Sequence, residues 1–189
     1  APGAGARRGD PVTKRFYVET RATLAGNTLK GYAAVFDGTA RVGAGYERIG
    51  PRAFDDVLER ADPRALINHN PSLVLGRKSA GTLRLRTDSQ GLAFEVDLPD
   101  TSYARDLREL VERGDLAGAS FGFVPGDDEM SRAPDGKQIR THTAISELVD
   151  VSAVTYPAYE GTSLMLRHVD FCRVARPRLQ ALRIRARHL

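Results

Sequence analysis

With 189 residues, the chain has room for one domain and short tails, and no stretch of about 18 apolar residues offers a membrane-crossing helix. Its single cysteine, Cys172, excludes an internal disulfide and any zinc site built on two or more thiolates. The net charge of +4 is concentrated at the ends: residues 173–189 carry six Arg and no acid, and residues 1–15 carry Arg7, Arg8, Lys14 and Arg15 against Asp10, so the stretch between them is net negative. That distribution argues against a nucleic-acid-binding surface on the core.

Residues 1–15 read as a flexible basic arm, Gly/Ala/Arg-rich and without the apolar stretch of a secretory signal. From Phe16 the pattern turns β-like, with Phe16, Val18 and Thr20 alternating against Tyr17, Glu19 and Arg21. A turn at Gly26–Asn27 leads into a second strand, Leu29 to Phe36, and residues 38–46 read as loop. In GPRAFDDVLER, Pro51 suits the first turn of a helix, and Phe54, Val57 and Leu58 fall on one face.

Ala65 to Asn70 and Ser72 to Arg77 read as strands around an Asn-Pro turn. The clearest hairpin follows: Leu83 and Leu85 alternate with Arg84 and Arg86, Asp88–Gly91 turns the chain, and Leu92, Phe94, Val96 and Leu98 alternate with Ala93, Glu95 and Asp97. A helix is predicted from about Ser102 to Arg113. Asp100, Thr101 or Ser102 can cap it, Leu107, Leu110 and Val111 form its stripe, and Gly114 ends it. Gly118 to Val124 reads as a strand, residues 125–138 as a polar, mobile surface loop, and VDVSAV as a further strand. Residues 171–189 form an Arg-rich tail, read as a basic helix interrupted at Pro177. The sum is a strand-rich α+β domain with two short helices.

Four histidines are available: His69, His142, His168 and His188. His69 lies in INHN, at a strand end between two asparagines, whereas His168 and His188 lie near or in the basic tail. Ser120 lies in GASFGF. In a strand, Ala119, Phe121 and Phe123 face the core, while Ser120 and Gly122 face a groove, where small neighbours leave room for a substrate backbone. A nucleophilic serine needs such exposure, a base within hydrogen-bond reach and donors for an oxyanion. By letter GASFG fits the G-x-S-x-G elbow of serine esterases, but an elbow requires strand–turn–helix, and here the strand continues.

A third group must orient the base, and Asp150, Glu147 and His142 are the candidates. Asp150 stands out because an acid in so apolar a strand is costly to bury without a partner. The acids Asp127, Asp128 and Glu129 read as loop charges rather than a metal cluster, and no phosphate-binding glycine loop is present. No cofactor is therefore expected.

Six blocks in order resemble the HK97-type tailed-phage prohead (capsid maturation) proteases: GYAAVFD at 31–37, ERIGPRAFDDVL at 47–58, ALINHNPSLVLGR at 65–77, GTLRLRTDSQGLAFEVDLPDTSYARDL at 81–107, RGDLAGASFGF at 113–123 and DVSAVTYPAYEGTS at 150–163. The resemblance implies a protease domain over residues 16–170 with a fold like that of the herpesvirus assemblins, a small, closed or nearly closed β-barrel with surrounding short helices. It implies a serine endopeptidase with Ser120 as nucleophile, His69 as base and Asp150 as third member. Glu is the commoner family residue at position 150, and the herpesvirus relatives use a second His, which keeps His142 in view.

The implied substrate is the scaffolding segment of the major capsid protein, with the chain itself and the portal as further partners. A homo-oligomer inside the assembling prohead, in the bacterial cytoplasm, is the implied setting. The Arg-rich tail is then a targeting or self-cleaved segment. The competing readings are a catalytically silent capsid-assembly module of the same fold and an unrelated serine esterase.

Overall fold

The computed structural model describes residues 14–18, 23–36 and 38–156. Residues 1–13 of the basic arm, the Arg-rich tail, His168, His188 and Cys172 lie outside them, while Lys14 and Arg15, read as the end of the arm, open the first strand. Among the described residues, thirteen strands and two helices run in the order β1 (Lys14–Val18), β2 (Thr23–Ala25), β3 (Thr28–Val35), β4 (Thr39–Val42), β5 (Gly45–Ile49), α1 (Asp55–Arg60), β6 (Arg64–Ile67), β7 (Asn70–Arg77), β8 (Leu83–Thr87), β9 (Gly91–Asp97), α2 (Ser102–Arg113), β10 (Gly118–Pro125), β11 (Asp128–Arg132), β12 (Gln138–His142) and β13 (Ile145–Val154).

The strands fall into three sheets, ordered β1-β10-β13-β6-β7, β11-β12-β5-β4 and β2-β3-β9-β8. The β-rich expectation holds. Among the described residues, however, the ladders form three open sheets and none closes on itself; β3 packs against β10 and β1 across layers rather than joining their ladder.

The core explains the sequence of β10. Every residue from Gly118 to Val124 is buried, because neighbouring strands cover both edges and other layers cover the faces. An aromatic file runs through it: Phe36–Phe54, Phe54–Phe121 and Phe121–Phe123 have ring centroids 6.2, 5.5 and 4.9 Å apart. Each buried phenyl stabilises the fold by roughly 1.5–3 kcal/mol relative to exposure, and the contact geometry adds about 1 kcal/mol per pair.

Helix α1 is shorter than its sequence pattern, since Pro51 to Phe54 form turns and Phe54 is the N-cap residue. Asp55 and Asp56 in its first turn complement the helix dipole. Helix α2 has the predicted bounds and ends at Gly114, whose φ of 81° suits a residue without a Cβ. Its N-cap residue is Thr101, which makes no side-chain capping bond. Leu107 is buried, but Leu110 is 40% exposed, so the buried stripe is Ala104–Leu107 with Val111 at its margin.

Two expected loops are strands. Residues 39–49 form the β4–β5 hairpin, and residues 128–132 of the polar run 125–138 are β11, paired antiparallel with β12. All five residues of β11 are exposed, so no hydrophobic alternation marks it. Its hairpin is closed by Ala133 N–H donating to Lys137 O at 2.8 Å and by Asp135, which accepts from Tyr46 Oη at 2.8 Å and Lys137 Nζ at 2.7 Å.

Candidate active site

The five-stranded sheet sets the site's geometry. Strand β13 lies between β10, to which it is antiparallel, and β6, to which it is parallel. Ser120 stands opposite Ser152, and Gly122 opposite Asp150. Strand alternation therefore puts Ser120, Gly122, Asp150 and Ser152 on one face. On the far side of β13, Ser152 registers with Leu66 and Ala153 with Ile67, so β6 ends beside that face.

His69 reaches the face from the turn after β6. Asn68 and His69 have φ of 50° and 56°, two successive non-glycine residues in the left-handed region. Only a few per cent of non-glycine residues adopt that region, with Asn, Asp and His the most tolerant. The sequence reading put this turn at Asn70–Pro71; it falls two residues earlier, and Asn70 opens β7. Asn68 holds the turn: its N–H donates to Ala153 O at 2.9 Å, its Oδ1 accepts the Thr155 N–H at 2.9 Å, and its Nδ2 donates to Thr155 Oγ1 at 3.2 Å.

The His69 ring then bridges two strands. Nδ1 lies 2.6 Å from Asp150 Oδ1, and Nε2 lies 2.7 Å from Ser120 Oγ. A carboxylate can only accept, which assigns the proton to Nδ1 and leaves Nε2 to accept the Ser120 hydroxyl proton. Ser152 Oγ donates to Asp150 Oδ1 at 2.6 Å and accepts the His69 backbone N–H at 3.3 Å. Chemically, a hydroxyl in line with an imidazole whose far nitrogen is held by a carboxylate is equipped for proton abstraction and nucleophilic attack.

Two expectations change. Ser120 faces away from the phenylalanines as predicted, but it is 0% exposed rather than open to a groove. The space at Gly122 is taken by Asp150: a Cβ built there runs into Asp150 Oδ2. Asp150, 4% exposed on a strand flanked on both sides, has the partners such burial requires in His69 and Ser152. Of the other candidates for the third group, Glu147 is exposed, on the rim of a cleft between α1 and the start of β13. His142 lies in another sheet, buried, with Nε2 3.2 Å from Glu47 Oε2 and its ring edge-on to Phe123 at 5.3 Å.

Sequence reasoning gave Ser152 no part and read Gly122 only as space. The D-x-S spacing on a period-two strand was the available signal, because it places the second hydroxyl on the acid's own face.

A serine–imidazole–carboxylate chain of hydrogen bonds on a mixed sheet thus defines the architecture. The chain belongs to the caudovirus prohead serine protease family, whose model matches residues 15–175. It is 30% identical over 147 residues to the prohead protease of Enterobacteria phage HK97, an alignment covering 75% of this chain and 61% of that protein's length. It is also similar to the solved structure of the bacteriophage T4 capsid assembly protease, with a TM-score of 0.46 and 10% identity over 77% of this chain and 97% of that one.

Proposed function

We propose that the chain is a serine endopeptidase of capsid maturation, with Ser120 as nucleophile, His69 as general base and Asp150 as the group that orients the base. The observation that carries this reading is the single imidazole joined to Ser120 at 2.7 Å and to Asp150 at 2.6 Å. Family membership supports a capsid-maturation role, and the substrate we assign is the scaffolding segment of the major capsid protein, with self-cleavage as a second reaction. The place of action is the assembling prohead within the bacterial host.

The mechanism follows from the hydrogen-bond directions. As Ser120 Oγ attacks the scissile carbonyl carbon, its proton passes to His69 Nε2, and the imidazolium is stabilised by Asp150 through Nδ1–H. The imidazolium then gives that proton to the leaving amine, which departs and leaves an acyl-serine. Water, deprotonated by the same nitrogen, attacks the ester and releases Ser120. The developing oxyanion requires backbone N–H donors or an arginine.

The complete enclosure of Ser120 favours one alternative, a silent capsid-assembly module that retains the fold. Co-expression with the cognate major capsid protein separates the two. Intact mass spectrometry is expected to show loss of a capsid-protein segment with wild type and none with Ser120→Ala. In enzymes built this way, loss of the nucleophile or the base alone costs on the order of 10⁶-fold, about as much as losing both. Equal trimming by wild type and Ser120→Ala would remove Ser120 from the mechanism. An intact capsid protein under assembly-competent conditions would put the silent module ahead.

A further inference from the structure

Ser152 is 2% exposed, on a strand whose neighbouring residues Val151, Ala153 and Val154 are equally buried. A hydroxyl in such surroundings is tolerated only when its hydrogen bonds are made. Both of those it makes concern the base. Its Oγ–H donates to Asp150 Oδ1 at 2.6 Å, and the same oxygen accepts the His69 backbone N–H at 3.3 Å. One atom thus grips the carboxylate behind the imidazole and the main chain that carries the imidazole.

Each grip answers a specific freedom. A carboxylate rotates about its last torsion through a broad, two-fold profile, so a single bond to His69 Nδ1 leaves its plane free to swing. The second donor, two residues along the same strand and on the same oxygen, narrows that swing. The other freedom is that of the turn. His69 has a φ of 56° directly after Asn68 at 50°, a conformation that persists only where surrounding bonds enforce it. Asn68 is secured through Ala153 and Thr155; the N–H of His69 is secured by Ser152.

We infer that Ser152 is a positioning residue, holding the His69–Asp150 pair in the geometry from which Nε2 takes the Ser120 proton. The inference rests on the roles proposed above for Ser120, His69 and Asp150. If Ser152 were merely a small residue that fits between strands, its hydroxyl would matter to stability and not to the reactivity of Ser120.

The test compares full-length wild type, Ser152→Ala, Ser152→Thr and Ser120→Ala. A fluorophosphonate probe reads the labelling rate of Ser120, circular dichroism reads folding, and proton NMR reads the low-field Nδ1–H resonance of His69. Ser152→Ala is expected to remain folded, to label at least about tenfold more slowly, as when outer supports of a reactive group are lost, and to shift or lose the low-field resonance. Ser152→Thr, which keeps the hydroxyl, is expected to recover most of both signals.

A wild-type labelling rate with an unchanged resonance in Ser152→Ala overturns the inference, as does a threonine variant no better than alanine. If Ser152→Ala does not fold, Ser152→Cys, of similar volume but a weaker donor, is judged by the same two signals. Failure of wild type to label, or labelling that survives Ser120→Ala, counts against the roles proposed for Ser120 itself. The NMR comparison still decides the part of Ser152 in that case.

Discussion

Ser120 and Ser152 are direct cross-strand partners on β10 and β13, yet their hydroxyls engage opposite ends of the same histidine. Ser120 Oγ meets the ring at Nε2, while Ser152 Oγ meets the main chain of His69 and the carboxylate behind Nδ1. The pairing register alone puts both on one face, and only the turn at Asn68–His69 separates what each can reach.

That turn makes Asn68 a stability determinant. Alanine at 68 loses the side-chain bonds to Thr155, at 2.9, 3.2 and 3.4 Å, and sits poorly at a φ of 50°. Asn68→Ala is expected to destabilise the fold by about 3 kcal/mol, from roughly 1 kcal/mol for each of the two shorter bonds plus about 1 kcal/mol of left-handed strain. Asn68→Gly, which loses the same bonds without the strain, is expected to cost less. Denaturant titration measures both, and equal losses would show that strain plays no part.

Gly122 is expected to tolerate no side chain. The Cβ of Gly122→Ala runs into Asp150 Oδ2, and overpacking of this size costs about 1–3 kcal/mol. Because relief comes most readily by moving the carboxylate away from β10, the labelling rate of Ser120 should fall by more than the stability change accounts for. Fluorophosphonate kinetics beside thermal melts check this, and a melt that drops while the labelling rate holds would refute it.

Acid sensitivity has an identifiable source on the β8–β9 hairpin. Asp97 is pushed down to about 2 by its hydrogen bonds from Arg84, then by that from Thr28; the Arg84 guanidinium grips both its oxygens, at 2.7 and 2.9 Å. The folded state therefore binds this proton less readily than the unfolded chain does. The resulting stabilisation is present above the ordinary carboxyl value of 3.8 and drains away as pH falls toward 2. Melting temperatures across that window should fall less steeply for Asp97→Asn than for wild type, with the gap between them closing at the acid end. Parallel curves would exclude Asp97 as a contributor.

Legibility from the sequence followed burial pattern. The β8–β9 hairpin was readable because Leu83 and Leu85, then Leu92, Phe94 and Val96, alternate with polar residues. Helix α2 was readable because Gly114 stops it. Strand β11 was not, since all its residues are exposed and only pairing with β12 makes it a strand. The site residues stood out by type and by family motif, but their arrangement depended on a turn of two left-handed residues at Asn68–His69 that no glycine announces. The enclosure of Ser120 was equally hidden, because strand alternation gives the direction of a side chain and not what lies over it.

The order of strands in the main sheet also governs when the trio can exist. His69 and Ser120 are 51 residues apart and His69 and Asp150 are 81 apart, and β13, the last strand in the described chain, is inserted between β10 and β6. Contacts so distant along the chain form late, because loop closure must precede any reward from pairing. During synthesis the serine and the histidine emerge well before the strand that aligns them. The hydrogen-bonded trio therefore has no frame to form on until β13, which lies between the other two strands, has docked.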